Sequence, residues 1–138
     1  MTKVAKFVRM EAVEEKKKIL LVDDDIDLGD LYAKYLLEAG FIVEVCRDGG
    51  EAVEKVRNEH YDLILLDIMM LRVDGLTFLR LANPFLEKTG VVMLTNLSRD
   101  GLAEKAVAKG AVGFINKTDV DPGGLVTKVK GFLGVPTE

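Results

Sequence analysis

The chain has 138 residues, of which 49% are hydrophobic and 30% are charged, and its formal net charge is −4. These values fit one globular domain with a single core. Uninterrupted apolar runs stop at about four residues, far short of the ~20 that span a bilayer, so no membrane insertion is expected. Residues 1–18 carry six Lys/Arg and three Glu, net +3, which leaves −7 for the remainder. An acidic body without a basic stripe argues against direct nucleic-acid binding.

The first 18 residues differ in composition from the rest of the chain. We interpret them as a basic N-terminal extension, either disordered or a short helix, followed by one domain over residues 19–138. The extension lacks the apolar stretch of a signal peptide. The single cysteine, Cys46, cannot form an internal disulfide, which favours a cytoplasmic location. We expect Cys46 to be a small buried residue at the end of a strand.

Five apolar runs with strand character alternate with helical patterns along the chain. The predicted strands cover residues 19–22, 41–45, 63–66, 91–95 and 111–115. Three of these runs are almost continuously apolar, as is typical of parallel strands that are covered on both faces. The pattern therefore indicates buried strands rather than strands with one wet face.

The intervening segments carry helix signals. Apolar residues recur at helical spacing from Leu28 to Ala39, before Gly40. The other four helices are marked by their starts or stops, which are Asp48 with Glu51, Asp74–Gly75, Gly110 after residues 102–107, and Asp121–Pro122. Five strand–helix units in this order predict an α/β fold: a parallel sheet with right-handed crossovers and helices on both faces.

Polar residues follow several of the predicted strands where those strands end. They are Asp23, Asp24 and Asp25 after the first strand, Asp67 after the third, Thr95 in the fourth, and Lys117 after the fifth. In an open parallel sheet, ligand chemistry collects outside the carboxyl ends of the strands. We therefore expect acids from two strand ends, one hydroxyl and one ammonium group to converge on one edge.

Such a group of carboxylates has a definite chemistry. Neighbouring carboxylates resist ionisation together unless a cation joins them, and oxygen ligands suit Mg²⁺ or Mn²⁺. A carboxylate is also a nucleophile that can attack phosphorus to form an acyl phosphate. The alternative is that the three consecutive acids only cap the following helix, and that Thr95 and Lys117 are ordinary surface residues. Their convergence at strand ends favours a site.

Four segments together resemble a known family. "KILLVDDD", "DLILLDIMMLRVDG", "VVMLTN" and "GAVGFINK" look like the receiver domain of two-component response regulators, in the right order and spacing, over residues 18 to 134. The resemblance implies a flavodoxin-like, five-stranded parallel sheet of order 2-1-3-4-5 with five helices on both faces. It also implies that the domain accepts a phosphoryl group.

The resemblance assigns roles to individual residues. Asp67 is implied as the phosphoacceptor and metal ligand, Asp24 as a direct Mg²⁺ ligand, and Asp23 as a ligand acting mainly through water. The backbone carbonyl of Met69 is implied as the third protein ligand. Without metal, we expect Lys117 to lean towards Asp67.

A second group of residues is implied to sense the phosphoryl group. By the resemblance, Thr95 bonds the phosphoryl group and Lys117 pairs with it. Phe114 occupies the aromatic switch position, and we expect it to rotate into space left by Thr95. This movement would alter the surface of the fourth helix, fifth strand and fifth helix.

The chain departs from the family pattern at several positions. Leu71 and Thr118 stand where proline is usual, and Asn96 stands where a smaller residue is common. Because a cis bond is costly without proline, we predict a trans Lys117–Thr118 peptide. The resemblance also implies that Met69 and Leu97 flank the approach of an attacking water. Both are apolar, which predicts a slowly hydrolysed phosphorylated state. The alternative is that both side chains turn aside.

These residues favour a phosphorylation-controlled signalling module over an enzyme. The expected partners are a histidine kinase or phosphotransfer protein and a downstream protein target, and a homodimer through the fourth helix–fifth strand–fifth helix face is left open. The alternatives are a receiver-like scaffold acting without phosphate and a Mg²⁺-dependent phosphatase. The phosphatase pattern needs a second acid two positions after the nucleophile, where this chain has Met69. Whether the chain acts alone or is part of a longer regulator is also left open.

Overall fold

The computed structural model describes residues 16–70, 73–96 and 101–136. The predicted N-terminal extension lies almost wholly outside the described residues, as do Leu71 and Leu97, so the expectations for them stay predictions. In the parts of the chain that the structure describes, no helix is long and apolar enough to cross a membrane.

Five parallel strands form one sheet of order β2-β1-β3-β4-β5, which confirms the predicted topology. The strands are β1 Lys18–Val22, β2 Ile42–Cys46, β3 Leu63–Asp67, β4 Gly90–Thr95 and β5 Gly113–Asn116. β3 is buried along its whole length and lies between β1 and β4. A strand with both faces covered needs apolar side chains on both, which explains its continuous apolar run.

Five helices join the strands: α1 Ile26–Glu38, α2 Gly49–Asn58, α3 Gly75–Ala82, α4 Leu102–Ala108 and α5 Pro122–Leu133. Aspartates cap four of them by accepting a backbone N–H three residues ahead, and these are Asp25, Asp48, Asp74 and Asp121. The predicted starts of α2, α3 and α5 are therefore confirmed. A short 3₁₀ helix, Asn83–Phe85, continues α3 and was not predicted.

The core consists of two apolar clusters, one on each face of the sheet. One joins alternate strand residues to α2, α3 and α4, and it includes Phe78 and Ala106. The other joins the remaining strand residues to α1 and α5, and it includes Leu36 and Val129. Helices therefore cover both faces, as predicted.

The observed strand ends differ from the prediction by one or two residues. β5 begins at Gly113 rather than residue 111, because the Ala111 N–H donates to the Ala106 carbonyl at the end of α4. β2 extends one residue further, to Cys46, which is fully buried as expected. Burial, with a hydrogen bond to Glu51, raises the pKa of the Cys46 thiol to about 12. Cys46 is therefore an inert core residue.

Candidate functional site

The register of the sheet brings the predicted polar residues to one edge. Val22 pairs with Leu66, so Asp23 and Asp67 leave neighbouring strands at the same level. Thr95 lies at the end of β4, and Lys117 directly follows β5. The side chains of Asp23, Asp67, Thr95 and Lys117 are all buried. Asp67 is thus more enclosed than a position at the mouth of the sheet would require, with only 6% of its surface exposed.

Lys117 links the acids of the two strands. Its Nζ lies 2.8 Å from Asp23 Oδ2 and 3.3 Å from Asp67 Oδ2. The expected approach of Lys117 to Asp67 is confirmed, although Asp23 is the nearer acid. A buried ammonium group needs such partners because each charge would otherwise be stranded away from water.

The backbone around Lys117 compensates for the missing proline. The Lys117–Thr118 peptide is trans, as predicted. The Lys117 N–H donates to the Thr95 carbonyl at 2.7 Å. Asn116 Oδ1 then accepts hydrogen bonds from the N–H and the hydroxyl of Thr118, at 3.0 and 2.7 Å. The Asn116 side chain therefore closes the turn that keeps the lysine in the site, a role that the sequence analysis missed.

Three carboxylates meet closely enough to share one ion. One carboxylate oxygen each from Asp23, Asp24 and Asp67 lies within 4.8 Å of the other two, close enough for all three to bind the same ion. An all-oxygen donor set that is partly open to water fits Mg²⁺ or Mn²⁺. The residues present therefore fit the metal that the sequence predicts.

The three consecutive acids have separate roles in the structure. Asp25 is the cap of α1, and its side chain accepts the Leu28 N–H at 3.0 Å. Asp23 Oδ1 accepts the Asp25 N–H at 2.9 Å, while its other oxygen faces Lys117. The helix-cap alternative is therefore correct for Asp25 alone, because Asp23 and Asp24 face the cluster.

Burial dominates the electrostatics of Asp67. It raises the pKa of this carboxyl to about 6, more than the charge of Lys117 and the Met69 N–H lower it. Asp67 Oδ1 accepts that N–H at 3.0 Å. The carboxylate therefore ionises near neutral pH without metal, and any cation that enters would favour its charged form.

Burial acts on the pKa of Lys117 in the opposite direction, because the charged form of lysine is the protonated one. Burial lowers the pKa of its ammonium group, but the hydrogen bond to Asp23 and the charges of Asp67 and Asp23 outweigh burial, so the pKa is raised. Lys117 therefore stays charged at neutral pH. Of the two acids, Asp23 lies nearer to the Lys117 ammonium group.

Two further predicted residues, Met69 and Phe114, have exposed side chains. The Met69 side chain is 65% exposed, and its backbone lies beside Asp67 through the N–H bond. Phe114 is 39% exposed and lines a hollow of about 320 Å³ with Lys128, Gly131 and Phe132. Phe114 therefore lies on the surface between β5 and α5, while Thr95 is buried.

One further residue lies beside the site and was not predicted. Arg47, which directly follows β2, reaches the first turns of α1 and pairs with Asp30 at 2.7 Å. The signal in the sequence was Gly29, since a glycine inside a helix is unfavourable unless a close approach requires it.

Comparison with known proteins agrees with this arrangement. A protein-glutamate methylesterase/protein-glutamine glutaminase of Archaeoglobus fulgidus is 40% identical over 107 residues, which are 74% of this chain and 30% of the relative. The chain spans 23% to 55% of the length of four other curated relatives that it matches.

Solved structures share the fold as well. A CheY-like receiver domain from Methanospirillum hungatei superposes with a TM-score of 0.80 at 30% identity, covering 87% of this chain and 95% of that one. The CheY of a CheX–CheY–BeF3–Mg²⁺ complex from Borrelia burgdorferi has a TM-score of 0.76 at 30% identity, covering 84% and 88%. Residues 19–130 match the model of the response regulator receiver domain, and the chain belongs to that family.

Proposed function

We propose that the domain accepts a phosphoryl group on Asp67 from a histidine kinase or phosphotransfer protein, with Mg²⁺, and thereby changes its partner-binding face. The observation that carries the proposal is the buried cluster in which Asp23, Asp24 and Asp67 lie within 4.8 Å of one another beside the Lys117 ammonium group. A purely structural ion pair would need one carboxylate beside the Lys117 ammonium group, whereas three carboxylates converge here.

Each residue has a defined task in this transfer. An oxygen of Asp67 attacks phosphorus, a bond from that oxygen to phosphorus forms, and the bond from phosphorus to the donor nitrogen breaks. Lys117 pairs with the phosphoryl group, and the Thr95 hydroxyl donates to one of its oxygens. Asp23, Asp24, Asp67 and the Met69 carbonyl would hold Mg²⁺ or Mn²⁺, which neutralises charge on the transferring group.

The relatives support this assignment without supplying it. The Borrelia burgdorferi CheY was solved in a complex with BeF3 and Mg²⁺. Other relatives include transcriptional regulatory proteins and one hybrid histidine kinase. Receiver domains are typically non-enzymatic signalling domains, although one relative is a methylesterase. A scaffold that never accepts phosphate would not need three carboxylates within 4.8 Å of one another, so we favour phosphorylation.

The partner face belongs to the same proposal. Apolar side chains are exposed on and around α4, β5 and α5, namely Val107, Val112, Phe114 and Phe132. Exposed apolar residues that lie close together favour protein contact, so we place the downstream partner, or a second copy of the domain, on this face. The single buried Cys46 fits the cytoplasmic location that we propose for these events.

The central test is phosphorylation by a small phosphodonor. With Mg²⁺, the intact mass should rise once by about 80 Da, one phosphoryl group. Asp67→Asn should remove the adduct, whereas Asp27→Asn, in the exposed first turn of α1, should retain it. Asp24→Asn should slow the reaction and weaken its dependence on Mg²⁺. An adduct that persists in Asp67→Asn would contradict the assignment.

The ionisation of Asp67 gives a prediction for the metal-free protein. Because folding raises the pKa of this carboxyl from its ordinary value of 3.8 to about 6, ionisation opposes folding. The free energy of unfolding should therefore lose about 1–3 kcal/mol from this group as the pH rises from about 4 to about 6. In Asp67→Asn that loss should be absent, as measured by denaturant titrations across this range. Identical pH profiles for the two proteins would show that the carboxyl is not desolvated.

The switch role of Phe114 predicts a movement that can be observed directly. Once Thr95 bonds the phosphoryl group, the Phe114 ring should leave the surface and gain nuclear Overhauser contacts with the Thr95 methyl group. Phe114→Ala should still take up the phosphoryl group but lose most of the change in amide exchange on α4, β5 and α5. A ring that keeps its exposure of 39% after phosphorylation would exclude this route.

The lifetime of the phosphorylated state should reflect the apolar residue at position 69. Met69 offers no group that could orient a water beside Asp67, so the acyl phosphate should be long-lived. Met69→Asn should speed its loss by at least about threefold, because a positioned polar group aligns the attacking water. Met69→Leu is the matched apolar control and should leave the decay rate unchanged. Equal decay rates in all three proteins would show that the side chain is turned aside.

A further inference from the structure

Gly29 lies inside α1, where glycine costs a helix about 0.5–1 kcal/mol relative to alanine. A β-carbon at this position would lie 2.8 Å from Arg47 Nη1 and 3.8 Å from the β-carbon of Asp23. The absence of a side chain therefore opens a notch on α1 beside the acidic cluster. The guanidinium group of Arg47 fills that notch.

Arg47 is firmly held there at both ends. Its backbone follows β2 directly, where the Asp23 N–H donates to the Cys46 carbonyl at 3.1 Å. At the other end, Nη2 lies 2.7 Å from Asp30 Oδ1 and Nη1 donates to the Ile26 carbonyl at 3.4 Å. The planar fork of an arginine can make two such contacts at once. Arg47 thus ties the first turns of α1 to the end of β2.

The segment between these two anchors is the acidic turn, residues 23–25. Within it, the Asp25 N–H donates to Asp23 Oδ1, and the Asp25 side chain accepts the Leu28 N–H. The first bond joins Asp23, which follows β1, to the cap of α1, so it depends on where α1 begins relative to β1. We propose that Arg47 is a positioning residue that fixes the acidic turn by clamping the start of α1, and so holds Asp23 and Asp24 ready for a divalent cation.

The charge of Arg47 and its clamping contacts predict opposite effects of removing Arg47 on the affinity of the site for a divalent cation. A free guanidinium group would repel Mg²⁺, so its removal would tighten binding. Arg47 is paired with Asp30 at 2.7 Å, so the fields of the two charges largely cancel at a distance. The solvent and salt around the exposed guanidinium group screen the remaining field. We therefore expect the loss of the clamp to outweigh the loss of charge. The proposal rests on the proposed metal site but not on phosphoryl transfer.

Two variants disturb the clamp in different ways. Arg47→Ala removes the guanidinium group. Gly29→Ala keeps Arg47 and the net charge but expels the guanidinium group from its notch, which is sterically cheap because only the end of a flexible side chain must move. Since alanine favours a helix, Gly29→Ala should be no less stable than the wild type. Lys34→Ala, on an exposed face of the same helix, is the control for lost charge.

The measurements use the unphosphorylated full chain. In the metal-free protein, amide exchange of Asp25 and Leu28 should accelerate at least threefold in Arg47→Ala and Gly29→Ala but not in Lys34→Ala. The dissociation constant for Mn²⁺, read from free Mn²⁺ by electron paramagnetic resonance, should rise about three- to tenfold in the first two variants only. Arg47→Lys, which keeps the charge but not the fork, should recover part of the affinity.

Three results would overturn the proposal. They are unchanged amide exchange in both clamp variants, tighter Mn²⁺ binding in Arg47→Ala, and an equal loss of affinity in Lys34→Ala. If the wild type bound no Mn²⁺ at millimolar concentration, the proposed metal site would fail, and the amide exchange would still decide whether Arg47 clamps the turn. If the protein accepted no phosphoryl group, the proposed function would be contradicted, but the amide exchange rates and the Mn²⁺ dissociation constants would still test the role of Arg47.

Discussion

The contact of Lys117 with Asp23 and Asp67 is the constraint on which the site depends. Three buried charged groups are stable at the end of the sheet only because the ammonium group lies 2.8 and 3.3 Å from the two acids. Removing one member would leave an unbalanced charge away from water, which is far more costly than losing a surface pair. The negative charge that remains makes the cluster receptive to a cation. Burial, chiefly, and the nearby charge of Asp23 raise the pKa of Asp67.

Much of this site could be predicted because a parallel sheet determines where its strands end. Asp67 follows a continuously apolar run, and such a run must be a buried strand whose end lies beside the ends of its neighbours. The same reasoning places Asp23, Thr95 and Lys117. Helix starts also follow from local signals, because aspartate is a favoured cap. The strand order, in contrast, was implied by the family resemblance.

Some contacts between side chains could not be predicted. Asn116 supports Lys117 by bonding Thr118, a contact that depends on how the loop turns after β5. Arg47 reaches α1 only because Gly29 leaves space, and neither residue carries a motif that indicates the other. The start of β5 was misplaced by two residues because Ala111 bonds back to α4. Sequence periodicity predicts which face of a helix or strand is buried, but it does not predict which hydrogen bonds hold a loop in place.

The two ends of the sheet differ in how completely their charges are paired. Near the start of β1, Glu44 accepts a hydrogen bond from the Tyr61 hydroxyl at 2.6 Å and lies 3.2 and 3.4 Å from Lys18 and Lys55. The bond from Tyr61 is the main reason that the pKa of Glu44 is lowered. Charge there is balanced by residues of the domain itself. At the other end, Asp23, Asp24 and Asp67 lie within 4.8 Å of one another and Lys117 pairs with only two of them. A bound cation would complete the charge balance there. The edge with the unbalanced charge is therefore the one at which we propose that metal and phosphate bind.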